Sequence, residues 1–486
     1  INGPLHLANL ASLYDIGIER RAGCLPAALR PAGKSYKILR ILPVFTKYPA
    51  ARRDPHIPND YREEIHSNVV FFDDRPVRKS TRLLNNFNNK KNFWRKIKQK
   101  DMALYFPYES FNPVLIFFSE AARDPSVLSV KVTLYRTSGD SPIVKSLKEA
   151  ALKGKKVTVI VELKARFNEE RNINWAKDLE RAGVNVIYGF THIKVHAKIA
   201  LVTRREAMGI CSYLHLSTGN YNEMTAKTYA DICLFTADKD FVNEAEIFFE
   251  ILSSWAGSKN IPCFLRPEQN APRFAHLTGD SPVALPAEKL YNLCSAEKTR
   301  HLITAPVFLK KHLIALIERE TRQAAAGGGA LIKAKMNSLA DADIINALYR
   351  ASRAGVKIFL NIRGICMLIP GVHGLSENIK VVSIIDHFLE HSRIIFFENS
   401  GNTDLYLSSA DWMTRSFENR VELMFPVIDK EIKKRLCTIL DLFFKDNCHS
   451  YNLGADGVWR RLQPGGGENR FRVQEYFYKT CGLRNE

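Results

Sequence analysis

Residues 141–163 read SPIVKSLKEAALKGKKVTVIVEL, and residues 342–363 read ADIINALYRASRAGVKIFLNIR. In the first stretch Ile143, Leu147, Ala150 and Ala151 fall on one side of a helical repeat, Gly154 ends the run, and an apolar, valine-rich segment follows. That order predicts a helix over 141–155, closed by a glycine, and then a buried strand over 156–163. The second stretch repeats the pattern at a constant offset: Leu147 falls on Leu348, Ala150 on Ala351, Gly154 on Gly355 and Lys156 on Lys357. A strand-like run precedes each copy, VLSVKVTLY (127–135) in one case and ALIKAKMNS (330–338) in the other. Alternation of strand, helix and strand is the mark of α/β units. The sequence therefore predicts two α/β halves of one ancestry, with equivalent edges facing each other and one site built between them.

Working outward, a second helix is expected over 172–183, and further strands at VNVIY, KVHAKIALV and YLHLST. We divide the chain into an irregular, partial head region of mixed α+β character (1–105), a first α/β domain (106–270) and a second (271–486), joined by a proline-containing stretch near 258–286. The head region carries basic clusters, VRKSTR (77–82) and NNKKNFWRKIKQK (88–100), whose bland reading is a solvated face. With 70 Lys+Arg against 51 Asp+Glu the net charge is +19, which favours a polyanionic partner without choosing among nucleic acid, anionic membrane and phosphate-rich substrate. Nine cysteines without a CxxC pair fit neither a disulfide framework nor a zinc site, and reduced thiols in a cytosol fit best. No apolar run approaches the roughly 20 residues that span a bilayer.

The chemistry concentrates in two matching places. His196-Ala-Lys198 lies in an alternating run and is followed by Ser217-Thr218-Gly219-Asn220; His391-Ser-Arg393 is followed by Ser408-Ser409-Ala410-Asp411. Strand side chains repeat every two residues, so each histidine shares a face with a cation. One such tripeptide is more often a surface strand than a site, but two of them in duplicated halves point to a nucleophile beside fixed positive charge. Arg136, Arg166 and Arg363 are expected at strand C-terminal ends, where open α/β sheets place ligands, and guanidinium forks suit phosphate oxygens. Taken alone, Arg136 or Arg166 reads as an ordinary surface ion-pair partner. Tyr229, in KTYADICLF, also reads as an amphipathic core residue. His192 and His196 have the spacing of a helical metal pair, but their surroundings alternate as a strand, so that geometry is not available.

The doubled histidine motif resembles the phospholipase D superfamily, in which two such histidines meet across a pseudo-twofold axis. The aspartate that follows the motif in that superfamily's diesterases is missing here, since IALVTRRE follows Lys198. The blocks VKVTLYRTSGDSPIV, KKVTVIVELKARFNEERNINWAK, KVHAK, STGNYNEMTAKTYADICLFTAD, NIRGICMLIPGVHGLSENI, FLEHSRI and SSADWMTRSFENRVE bring the chain closer to another group. It resembles the polyphosphate kinases of the histidine-phosphorylating type, over about Leu5 to Tyr476. That resemblance implies two phospholipase D-like α/β domains facing each other and Mg²⁺-dependent, reversible transfer of the terminal phosphate of ATP to inorganic polyphosphate. It implies His196 as the phosphorylated nucleophile and His391 as the opposing proton donor or acceptor. It places Tyr229, Arg363 and His391 on ATP, and Arg136 and Arg166 beside the metal, acting through phosphate or water because a guanidinium is not a direct Mg²⁺ ligand. Lys198 and Arg393 add cations for phosphate.

ATP, ADP and polyphosphate are the implied partners, with no nucleic acid, and a homo-oligomer in the cytoplasm, peripheral membrane association included, is the expected setting. Nothing matches the N-terminal helical domain of the family, with its adenine-contacting asparagine, and a segment upstream of Ile1 is expected. Two rivals stay open: a phospholipase D-like phosphodiesterase or nuclease using the same histidines, and a non-catalytic polyanion-binding protein.

Overall fold

The computed structural model describes residues 93–135, 141–162, 169–190, 193–256 and 301–483. Most of the expected head region and the proline-containing connection lie outside the described residues. The first half runs α1 (Phe93–Gln99), β1 (Met102–Phe106), α2 (Asn112–Arg123), β2 (Val127–Leu134), α3 (Pro142–Leu152), β3 (Lys156–Val161), α4 (Glu169–Arg181), β4 (Asn185–Tyr188), β5 (Lys194–Val195), β6 (Ile199–Glu206), β7 (Gly209–Ser217), β8 (Tyr229–Thr236) and α5 (Lys239–Ala256). The second runs β9 (Ile303–Ala305), α6 (Leu309–Ala325), β10 (Leu331–Met336), α7 (Ala342–Arg353), β11 (Lys357–Ile362), β12 (Ile379–Ile384), β13 (Leu389–Glu390), β14 (Arg393–Phe397), β15 (Asp404–Ser408), α8 (Thr414–Glu418), β16 (Arg420–Pro426), α9 (Lys430–Phe443), β17 (Ser450–Leu453), β18 (Trp459–Arg461) and α10 (Val473–Leu483).

The duplicated stretches fold as their patterns dictate. Pro142 opens α3, Ile143, Leu147 and Ala150 are its buried stripe, and α7 is capped by Asp341, whose carboxylate accepts the N–H groups of Asp343 and Ile344. Both helices end at a glycine with positive φ, Gly154 at +80° and Gly355 at +98°, where a side chain would be strained.

The strand order β1-β8-β7-β6-β2-β3-β4 of the first sheet returns in the second, where β12-β11-β10-β14-β15-β16 lie in sequence, β9 pairs with β16, and β17 and β18 extend the β12 edge. The halves also exchange strands. β13 of the second half pairs in parallel with β8 of the first, and β5 of the first pairs in parallel with β16 of the second. One apolar cluster draws on both sheets and on α5, α9 and α10, among them Leu201, Leu216, Phe249, Leu407, Leu423, Phe443 and Phe477. Two further clusters fill the outer faces, beneath α2, α3 and α4 on one side and α6 and α7 on the other. At ~1.5–3 kcal/mol per fully buried large apolar side chain, the shared cluster holds the two halves as one body.

The reading of KVHAKIALV as one continuous strand is corrected. The chain pairs with the second half over Lys194–Val195, leaves the ladder at His196–Lys198, and joins the first sheet from Ile199. The N–H groups of His196 and Ala197 both donate to the single carbonyl of Val421, at 2.9 Å each, which uses an extra residue and swings the chain from one sheet to the other. His391 and Ser392 do the same on the carbonyl of Ala230, at 3.1 and 2.7 Å. Among the described residues no helix is long and apolar enough to cross a membrane.

Candidate active site

Both histidines sit at these crossing points, so each is presented to a strand of the opposite half. The Nδ1 of His196 lies 2.9 Å from both carboxylate oxygens of Glu422 on β16. The Nδ1 of His391 lies 2.9 Å from both carboxylate oxygens of Asp231 on β8. Each carboxylate is backed by a hydroxyl of its own half: Ser409 Oγ donates to Glu422 at 2.5 Å, and Thr218 Oγ1 donates to Asp231 at 2.7 Å. Those hydroxyls in turn accept the N–H groups of Leu423 and Ile232, at 3.0 Å each. A carboxylate on Nδ1 keeps the proton there and leaves Nε2 with its lone pair. Gly219 follows Thr218 because a Cβ at that position would run into the Asp231 carboxylate.

The cations two residues on behave differently in the two halves. Lys198 Nζ is 2.6 Å from the carbonyl oxygen of His196 and 3.0 Å from each of its ring nitrogens. Arg393 is clamped: Nε and Nη2 reach Asp411 at 3.2 Å each, and Nη1 donates to the carbonyls of His391 and Thr218 at 2.9 and 3.2 Å. Asp411 also accepts the backbone N–H of Asn337 at 2.9 Å. The Asn337 side-chain oxygen accepts Arg363 Nη2 at 2.6 Å and Nε at 3.0 Å. Tyr229 places its ring 5.5 Å from that of His391, and Tyr135 meets His196 edge-on at 5.0 Å. Lys335, on β10, pairs with Glu390 at 3.0 Å and donates to Ser392 Oγ at 2.8 Å, bracketing His391 from both neighbours in sequence.

Burial and crowded positive charge set the protonation states. His196 is pushed well below 6.5 by burial and then by Lys198, Arg420, Arg393 and His391, groups from both halves. Burial lowers His391 to about 4 against the pull of Asp231, and lowers Lys198 to about 7 against that of Glu422. Burial alone would raise Asp231, but His391 and Arg393 outweigh it and hold the carboxyl at about 2. Burial brings Arg363 down to about 10, still charged at neutral pH. The centre thus pairs two neutral imidazoles with guanidinium groups in a dry setting, the arrangement in which a nucleophilic nitrogen can meet a phosphoryl group whose charge is already balanced.

Of the residues singled out in the sequence, His196, Lys198, Tyr229, Arg363, His391 and Arg393 are drawn into this network. Arg136, Arg166 and His192 lie outside the described residues. Glu422, Asp231, Arg420 and Asn337 were not singled out, although all four lie in quoted blocks or runs. A signal for the acids existed: Asp231 follows Thr218, and Glu422 follows Ser409, by the same 13 residues. Among the described residues no group of three or more His, Cys, Asp or Glu side chains could hold a metal ion. The described carboxylates at the centre are engaged by histidines, arginines and hydroxyls, and they do not themselves form a ligand set for a divalent ion.

Fold and site define a class: a duplicated α/β protein with one paired-histidine centre between its halves. Models of polyphosphate kinase C-terminal domain 1 and polyphosphate kinase C-terminal domain 2 match residues 92–258 and 302–474. The chain belongs to the polyphosphate kinase family. It is 43% identical over 411 residues to a polyphosphate kinase of Rhodopirellula baltica, covering 85% of this chain and 43% of that protein. It is 45% identical over 370 residues to one of Bacillus anthracis, covering 76% and 47%. The crystal structure of polyphosphate kinase from Porphyromonas gingivalis matches with a TM-score of 0.66 and 33% identity, over 79% of this chain and 53% of that one. The chain spans about half the length of the relatives it matches.

Proposed function

We propose that this chain carries out the phosphoryl-transfer chemistry of a polyphosphate kinase, moving the terminal phosphate of ATP to inorganic polyphosphate, reversibly, through a phosphohistidine at His196. The observation that carries the reading is the reciprocal pairing of each histidine with a carboxylate of the opposite half, at 2.9 Å in both cases. His196, neutral and with its proton held on Nδ1 by Glu422, attacks the terminal phosphorus through Nε2. His391, oriented by Asp231, presents its own Nε2 to the leaving or accepting phosphate oxygen and takes up or returns a proton. Lys198, Arg363 and Arg393 balance phosphate charge, and Tyr229 and Arg363 are the ATP contacts. Arg136 and Arg166 act on the phosphates of a Mg²⁺–ATP complex. Assembly of identical chains and a cytoplasmic setting, with contact to a membrane surface, complete the reading; light scattering and fractionation test them.

The decisive experiment is incubation with Mg²⁺ and terminally labelled ATP. Protein-bound label that survives alkali but not acid, and that His196→Ala abolishes, is expected. Label that persists in His196→Ala, or none at all, refutes the mechanism. Cleavage of a diester model substrate in the same reaction would favour the phosphodiesterase alternative, and polyanion binding without either reaction a purely binding role.

A further inference from the structure

The two histidine sites share a backbone pattern and differ in charge. Strand β8 pairs with β13 through Tyr229 opposite Leu389, and β16 pairs with β5 through Arg420 opposite Lys194. Tyr229 and Arg420 are therefore counterparts, each two residues before the carboxylate that holds a histidine. Side chains two apart on a strand share a face, so both positions stand on the side that carries the histidine. Tyr229 bears this out with its ring 5.5 Å from that of His391. Arg420 is 7% exposed, approaches Glu422 with Nη1 3.8 Å from Oε1, and its charge helps to keep His196 neutral. The contrast extends to the neighbouring cations. Arg393, beside His391, is held by the carboxylate of Asp411, whereas the motif position equivalent to Asp411 in the first half is the neutral Asn220. The motif position that supplies a carboxylate beside His391 is thus neutral beside His196.

We propose that Arg420 is a catalytic residue that binds the phosphoryl group carried by His196, and that the Arg420/Tyr229 difference makes His196 the phosphorylated histidine and His391 its partner. The inference rests on the phosphohistidine reading above. In the transfer the Nε2 lone pair of His196 forms the N–P bond, the bond from phosphorus to the bridging oxygen breaks, and its electron pair leaves with ADP. Nδ1 keeps its proton. The imidazole becomes cationic as the charged phosphoryl group arrives, Glu422 offsets the ring, and the Arg420 guanidinium spreads its donors over the phosphoryl oxygens. At His391 the same oxygens would meet a phenol ring, which supplies neither the charge nor the fork.

The test uses the full chain with labelled Mg²⁺–ATP and maps the phosphorylated residue by mass spectrometry at alkaline pH. Arg420→Ala is expected to slow labelling of His196 by about 10²-fold or more, the effect of losing one preorganised charge-stabilising group, while ATP affinity measured by equilibrium dialysis changes far less. Arg420→Lys should recover part of the rate, and added guanidinium should partly restore Arg420→Ala. Arg420→Gln, closer in size, keeps the test open if Arg420→Ala does not fold. Labelling of His196 at the wild-type rate in Arg420→Ala or Arg420→Gln overturns the assignment. So does failure of both Lys replacement and guanidinium to restore a variant that melts like the wild type. An absence of label on the wild-type chain would sink the phosphohistidine reading itself, and this inference with it.

Discussion

In the proposed mechanism, His196 draws its nucleophilicity from the group on its other ring nitrogen. An isolated imidazole exchanges tautomers and titrates near neutrality. Here the Glu422 carboxylate, 2.9 Å from Nδ1, fixes one tautomer, and burial among cations keeps the ring neutral. Glu422→Gln is expected to slow phosphohistidine formation by about 10- to 100-fold, corresponding to the ~1.5–3 kcal/mol of a hydrogen bond to a charged group; a quench-flow labelling rate equal to the wild type would refute it. The sign of the pH dependence follows from two groups. His196 is depressed well below 6.5, so labelling should show no acid limb near that value. Lys198 is lowered to about 7, by burial first and by Arg393 and Arg420 against the pull of Glu422. It is charged below that pH and neutral above it, so labelling at subsaturating ATP should fall as pH rises through about 7. Lys198→Arg, whose charge persists, should remove that alkaline limb from the labelling profile. The histidines were legible in the sequence because a repeated H-x-cation motif is distinctive. Asp231 and Glu422 were harder to see because an acid in a strand has many ordinary uses, and the partner of each is more than 150 residues away, at separations of 160 and 226.

At the scale of elements, the two-residue strands β5 and β13 aim the histidines. The duplicated helix and strand runs were readable from periodicity and glycine stops, since those signals are local. The break at His196 was not, because KVHAKIALV carries no glycine or proline and alternates through that point, from Lys194 to Ile199; what breaks it is the carbonyl of Val421 in the other half. Strand β13 has a further anchor in the C-terminal helix α10. Gln474 is fully buried and accepts the N–H of Phe388 at 2.8 Å. Its amide donates to the carbonyl of Phe388 at 2.8 Å and to Glu390 at 2.6 Å. Glu390 is raised by burial, with Lys335 and Gln474 opposing the rise, so removal of the amide leaves a buried carboxylate short of a donor. Gln474→Ala should destabilise the fold by ~1–3 kcal/mol and lower the urea midpoint. A midpoint that does not move would show that α10 does not brace the His391 strand through this residue.

At the scale of the molecule, neither half completes its own site. His196 is oriented by Glu422 of the second half and His391 by Asp231 of the first, each through a strand lent across the boundary. The linkage is therefore carried by two parallel strand pairings and by a core cluster containing Phe249 and Leu216 from one half with Leu423, Phe443 and Phe477 from the other. Burial of that kind is worth tens of kcal/mol in gross terms, at ~1.5–3 per large apolar side chain, far above the few that loop closure by the covalent connection contributes. The connection across residues 257–300 should accordingly be dispensable once the halves have met. A full chain with a specific protease site inserted there, folded first and then cut, is expected to run as two bands on a denaturing gel and as one species on size exclusion. It should also keep labelling His196 at the uncut rate. Separation of the two fragments without denaturant would show that the covalent link, and not the exchanged strands and shared core, holds the histidines together. A partial loss of labelling without separation would place the sensitivity in the geometry of the crossing points. In that case, adding Glu422→Gln to the cut chain should cost no further activity, since the carboxylate would already have lost its hold on His196.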